Sequence, residues 1–98
     1  MEEFSLNAHQ YRFEREVDGQ VATLDYEHVD DKVIDFKRTE VPEGLEGQGV
    51  GERLVEDALR WARDYHYHVI PSCHFVKGYV EKHPEHQDLL EREAAAAR

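Results

Sequence analysis

Three glycines stand at alternate positions in the stretch "EGQGVGERL": Gly47, Gly49 and Gly51. An apolar pattern of helical spacing follows at once. The first turn of a helix has four backbone N–H groups without intrahelical partners, and it carries a partial positive charge. Glycines at such a start let backbone and anion come close with no Cβ atoms between them. Three glycines in five residues is more than a plain connection requires, so the stretch reads as a phosphate cradle, with a glycine-rich connection as the alternative. A Walker loop is excluded, because Gly51 is followed by Glu52 and Arg53 rather than Lys and Ser or Thr. A dinucleotide fingerprint fits at Gly47 and Gly49 but meets Glu52 where its third glycine belongs.

Other residues with chemical potential lie downstream. Cys73 is the single cysteine, so an intramolecular disulfide framework is excluded, and a reducing compartment fits. The seven histidines raise a metal question. His66 and His68 would share a face if both lay on a strand. His83 and His86 are interrupted by Pro84, and no C-x-x-C or H-x-x-x-H spacing occurs, so no metal site is expected. His83 with Pro84 reads more simply as a helix end, where a cationic side chain meets the dipole.

These groups need a scaffold, and the apolar periods supply one. Residues 10–17 and 20–28 alternate as strands around Asp18-Gly19, a two-residue hairpin signal. A third alternating segment, "KVIDFKRTEV", puts Ile34 and Phe36 inward and stops at Pro42. Val50, Leu54, Val55, Ala58, Leu59, Ala62 and Tyr65 then form one apolar stripe on a helix, with Trp61 at its edge. Tyr67 to Ile70 reads as a short strand closed by Pro71. Phe75, Val76, Tyr79 and Val80 have helical spacing again, and Pro84 ends that helix. "EHQDLLEREAAAAR" reads as a last helix that frays after about Glu91. The expected order is β-β-β-α-β-α in one α/β (α+β) domain over residues 1–98. Its sheet is mixed and mainly antiparallel, and the two strands that bracket the main helix are parallel.

Composition narrows the partners. Lys and Arg number 12 against 22 Asp and Glu, for a net charge of −10. That acidity disfavours a broad contact with a phosphate backbone, so nucleic acid is excluded as a partner class. The start "MEEFSLNAHQ" has no basic region followed by an apolar one, and no run reaches the ~20 apolar residues of a membrane span. No membrane partner is therefore expected, and the location read from these features is cytoplasmic.

The strand end "TEVP" (Thr39 to Pro42), the loop "LEGQGVGERLVEDAL" and the later "PSCHFVKGYVEKHPE" together resemble the GNAT N-acetyltransferases. The likeness is to the compact subgroup of about 90–100 residues that lacks the usual N-terminal helices. It extends over roughly residues 10–90. The resemblance implies a GNAT-like fold and transfer of an acetyl group from acetyl-CoA, the cosubstrate, to an amine that the sequence does not name. The superfamily pattern Arg/Gln-x-x-Gly-x-Gly/Ala is met by Gly49 and Gly51. Glu46 stands where Arg or Gln is usual, and a carboxylate there repels a pyrophosphate unless it points away.

By the same resemblance, Val41 offers backbone contacts to the pantetheine arm where two strands splay apart, and Gly47, Gln48, Gly49, Val50, Gly51 and Glu52 surround the diphosphate. Arg53, Lys77 and Lys82 are the basic groups with outer phosphates in reach. Cys73 falls where the family places the thioester. It is an acetyl carrier or nucleophile, with His74 to lower its pKa, or else a small half-buried residue. Tyr79 corresponds to the residue that protonates the leaving thiolate, or is a core tyrosine. Glu40 is a base for the amine, or a solvated strand end. The competing expectation is a CoA-binding or partner-binding module with little catalysis, since so short a chain leaves little surface for an acceptor pocket.

Overall fold

The computed structural model describes residues 2–90, and they form a five-stranded sheet in the order β1-β2-β3-β4-β5 with the helices packed on it. The strands are β1 (Glu2–Asn7), β2 (Arg12–Val17), β3 (Gln20–Asp30), β4 (Val33–Glu40) and β5 (His68–Ile70), and the helices are α1 (Val50–Asp64) and α2 (His74–Lys82). Neighbouring strands are antiparallel from β1 to β4, and β4 pairs with β5 in parallel. The parallel pair follows from the crossover through α1, as expected.

The hairpin between β2 and β3 turns through Asp18 at φ 51° and Gly19 at φ 85°. Both angles lie in the left-handed region that a primed turn demands, and Asp and Gly are the residues that tolerate it. At the next turn the Lys32 amide donates to the Asp30 carboxylate at 2.8 Å, closing the loop into β4. The alternating inner residues of the strands (Phe13, Ala22, Leu24, Ile34 and Phe36) meet Leu54, Val55, Ala58, Leu59 and Ala62 of α1 in one core, all fully buried. Phe13 gathers Trp61, Tyr26 and Phe36 around it, with ring centroids 5.1–5.6 Å apart.

Three expectations are corrected, and the open question of His66 is answered. The sheet has an additional strand, β1, so the order is β-β-β-β-α-β-α. Its apolar residues, Phe4 and Leu6, are too few to stand out between glutamates, and an edge strand is half exposed. Tyr65 leaves the apolar stripe and is 64% exposed, because α1 ends at Asp64. His66 is not on a strand but in a turn at φ 64°, so it does not share a strand face with His68. Pro84–Leu89 is a 3-10 helix rather than the start of a longer α-helix, and Leu90 bridges to Val69 in parallel. The alanine tail and its expected fraying lie outside the described residues. Among those residues no helix is long and apolar enough to cross a membrane, and no group of three or more metal-ligating side chains gathers.

Candidate functional site

The site begins where the sheet opens. β5 pairs with β4 only from Val33–His68 to Asp35–Ile70. Pro71 then turns the chain away, and the Cys73 amide holds it to the Phe36 carbonyl at 2.9 Å. β4 continues through Thr39 and Glu40 with β3 on one side and no strand on the other. Beside this gap lies the start of α1, reached through Pro42, a 3-10 turn over Glu43–Leu45, and the glycine loop. Leu45, 3% exposed, pins the loop to the core.

The three glycines answer to two different requirements. Gly47 at φ 80° and Gly49 at φ 75° hold left-handed conformations, and Gly49 caps α1 with no side-chain hydrogen bond. Gly51 sits where space is tight. A Cβ on it would stand 3.0 Å from the Phe75 ring and 3.2 Å from Val41 Cγ2. The result is a helix start whose first-turn amides are left to backbone or ligand. It borders a cleft of about 240 Å3 whose walls include Val41, Leu45, Glu46, Gly49, Gly51 and Phe75. A second cleft of about 270 Å3 runs over α2 and shares Glu52 and Phe75 with the first.

The sequence-predicted ligand residues divide in this frame. Val41, Gly47, Gly49, Val50, Gly51 and Glu52 line the 240 Å3 cleft, although the Val50 side chain is buried in the core and offers only backbone. Glu46 lines it too, so the departure from the superfamily pattern faces the cleft. The Gln48 amide turns back to donate to the Gly44 carbonyl at 3.1 Å. Arg53 is held by the Glu2 carboxylate through Nε at 2.6 Å and Nη2 at 3.1 Å. Lys82 lines the α2 cleft, and Lys77 lines neither cleft.

The catalytic candidates are dispersed. Cys73, 8% exposed, is the N-cap of α2, and its Sγ lies 3.3 Å from Thr39 Oγ1. His74 is exposed on the α2 cleft. The Tyr79 hydroxyl donates to Glu56 Oε1 at 2.6 Å. Burial, and next the bond to Glu56, push its phenol well above the usual range. Glu40 is 62% exposed at its side chain, with Arg38 3.6 Å away. Among the described residues no hydrogen bond joins any two of Cys73, Tyr79 and Glu40.

Sequence reasoning missed the group that engages Tyr79. Glu56 Oε1 also meets His86 Nε2 at 2.8 Å, and Oε2 accepts from Arg60 at 2.8 Å. Burial pushes the Glu56 carboxyl up, and bonds from Tyr79, His86 and Arg60 outweigh it and hold it at about 2. Tyr79 stacks on His83 at 4.1 Å. The sequence signal for Glu56 is weak, since it sits on the polar side of an amphipathic helix. His86 is 5% exposed because the 3-10 turn after Pro84 folds it under α1.

A model of the GCN5-related N-acetyltransferase family matches residues 12–89. The chain belongs to this family. It is 31% identical over 68 residues to "Protein NATD1" of Homo sapiens and of Gallus gallus, which covers 69% of this chain and 60% and 62% of those proteins. The chain therefore spans about three fifths of the length of these curated relatives. The solution structure of a GCN5-like protein from Staphylococcus aureus aligns with a TM-score of 0.70 and 30% identity, over 91% of this chain and 87% of the other. The compact GNAT-like fold thus rests on residues 12–89 rather than on the glycine loop alone.

Proposed function

We propose that this GNAT domain binds acetyl-CoA and transfers its acetyl group to an amine. One observation carries the reading. A helix start with no side-chain cap, built from two left-handed glycines and one tightly enclosed by side chains, opens on a cleft beside the gap between β4 and β5. First-turn amides and the dipole of a 15-residue helix suit a diphosphate there. Val41 and Phe75 give the apolar walls that suit the pantetheine arm. The bound cosubstrate supplies the activated acyl group; the chain orients it. Thr39 and Cys73 flank the gap where a thioester that follows this course arrives, so transfer is direct or runs through the Cys73 thiol. The setting proposed is cytoplasmic, where a lone thiol stays reduced. Titrating the protein calorimetrically with acetyl-CoA tests the reading. Micromolar affinity is expected, and no heat at millimolar ligand would discard it.

A binding module of the same fold is the second reading, and a specific feature favours it. Tyr79 gives its hydroxyl to Glu56, and Glu46 and Glu52 border the cleft. Acetyl-CoA that binds without transfer to any amine in a broad panel selects the module. For the enzyme, the acceptor class proposed is cationic amines, drawn by the net charge of −10. Equal turnover of neutral and cationic amines at low salt would remove that preference.

A further inference from the structure

The glycine cleft has two carboxylates, Glu46 and Glu52, among its lining side chains and no lysine or arginine. A diphosphate there meets backbone amides but no side-chain cation from the walls. Arg53 is the cation that borders the loop from outside. Its Nη1 lies 3.2 Å from where a Cβ on Gly49 would stand, and it donates to the Gln48 carbonyl at 3.0 Å. The other two nitrogens are taken by one carboxylate, that of Glu2 on β1, at 2.6 Å and 3.1 Å. Glu2 Oε1 also accepts from Arg15 Nη1 at 2.8 Å. A two-oxygen acceptor held in the fork of one guanidinium and bonded to a second is the arrangement in which arginines hold a phosphate group.

We infer that Glu2 occupies an oxyanion position formed by Arg53 and Arg15, and that a phosphate group of the ligand reaches Arg53 by displacing it. The inference rests on the acetyl-CoA reading and deepens it: β1, the edge strand, carries an internal competitor for the cosubstrate. The pair is a suitable one to exchange. The side chains are 46% exposed at Arg53 and 29% at Glu2, so solvent and ligand reach the pair although its geometry is bidentate. The diphosphate as a whole carries about twice the charge of a carboxylate and gains the helix dipole as well. Arg15 remains tied to Asp57 on α1, and Arg60 to Glu56, so Arg53 is the cation whose side-chain partner is the Glu2 carboxylate. Arg15 and Arg53 line a groove along α1 together with Glu52 and Asp57, and these two carboxylates stay in place, which limits the gain from removing Glu2.

The test is calorimetric titration of the full chain with CoA. Glu2→Gln removes the competing charge and is expected to tighten CoA about three- to fivefold, the range that loss of one exposed ion pair allows. Glu2→Ala must do the same, both against melting curves that match the unsubstituted protein. In the double variant with Arg53→Gln the gain must vanish. Equal or weaker affinity in both single variants, while the unsubstituted protein binds, overturns the competitor and leaves the acetyl-CoA reading standing. No binding in any of these proteins removes that reading and the competitor with it. A second readout needs no substitution. The Glu2 carboxyl carbon and the Arg53 Nε–H resonances must move together as CoA is added, and a Glu2 signal unmoved at saturation overturns the inference.

Discussion

Two turns of the same helix are built on opposite plans. At the start of α1, Gly49 presents backbone with no side-chain cap, and a Cβ on the neighbouring Gly51 would crowd Phe75 and Val41. Further along, Glu56 is ringed by Tyr79, His86 and Arg60, each within 2.8 Å. The first region leaves donors to be filled from outside. The second spends its polar groups on one another and ties α2 and the Pro84–Leu89 turn to α1. A buried polar group needs a partner wherever it finds one. A site for a ligand is therefore marked by what the fold leaves unpaired, and a structural cluster by what it closes.

Breaking the closed region should have the largest effect. Glu56→Ala removes the acceptor of the half-buried Tyr79 hydroxyl and the partner of His86 Nε2, a buried ring whose Nδ1 already has no partner. Two lost part-buried bonds to a charged group correspond to about 3 kcal/mol. The urea midpoint should fall accordingly, while acetyl-CoA binding to the protein that remains folded changes little. A large loss of affinity with unchanged stability would place Glu56 in the ligand site and undo the contrast.

Acid should reach the same cluster next. The folded Glu56 value of about 2 lies below its ordinary 4.5. A depressed carboxylate stabilises fully above the unfolded value, and the contribution is lost as pH falls through the folded one. Stability should thus decline between pH 4.5 and pH 2 by on the order of 2 kcal/mol from this group, allowing for partial exposure. Urea titrations at a series of pH values, with Glu56→Gln alongside, show it. The variant should be flatter across that window, and parallel curves would mean that the depression belongs elsewhere.

The open region should respond in binding more than in stability. Gly49→Ala forces a Cβ into φ 75°, at about 1 kcal/mol of strain, and crowds Arg53 Nη1 at 3.2 Å. Affinity for acetyl-CoA should fall about tenfold, since the loop that presents the amides shifts by more than the fold does. Calorimetry beside a melting curve separates the two effects, and a variant that loses stability but keeps its affinity would show that the cradle tolerates a Cβ there.

The two plans also differ in how far the sequence discloses them. Backbone devices leave local marks. Gly47, Gly49 and Gly51 before an apolar stripe, Asp18-Gly19 between two alternating segments and Pro42 at a strand end each announce a conformation that few residues permit. Side-chain clusters are assembled from distant positions and leave none. Glu56, Tyr79 and His86 lie 23 and 30 residues apart from the first, and Glu2 and Arg53 are separated by 51. β1 escaped for a related reason, since Phe4 and Leu6 gain their partners only from Phe13 and Arg15 across the sheet. The dual reading of Tyr79 could not be decided along the chain either, because it depends on which carboxylate the helix above supplies.

Glu40 is the smallest test and sharpens the comparison from outside it. It belongs to neither plan: its carboxylate is 62% exposed, and Arg38, itself 67% exposed, approaches only to 3.6 Å. Water screens such a pair, and a surface change away from caps and clusters shifts stability by less than about 0.5 kcal/mol. Glu40→Gln should therefore leave the urea midpoint where it was. A general base must reach the proton that it takes, directly or through one water. Glu40 stands on the part of β4 that has no β5 neighbour, and its carboxylate is open to solvent. If acetyl transfer is nevertheless unchanged across pH 6 to 9 in this variant, Glu40 is a solvated strand end and the amine must reach the site already neutral. A rate that falls at least tenfold with an unaltered midpoint would instead make Glu40 a functional group held in place by neither backbone nor cluster, a third plan that the two halves of α1 do not predict.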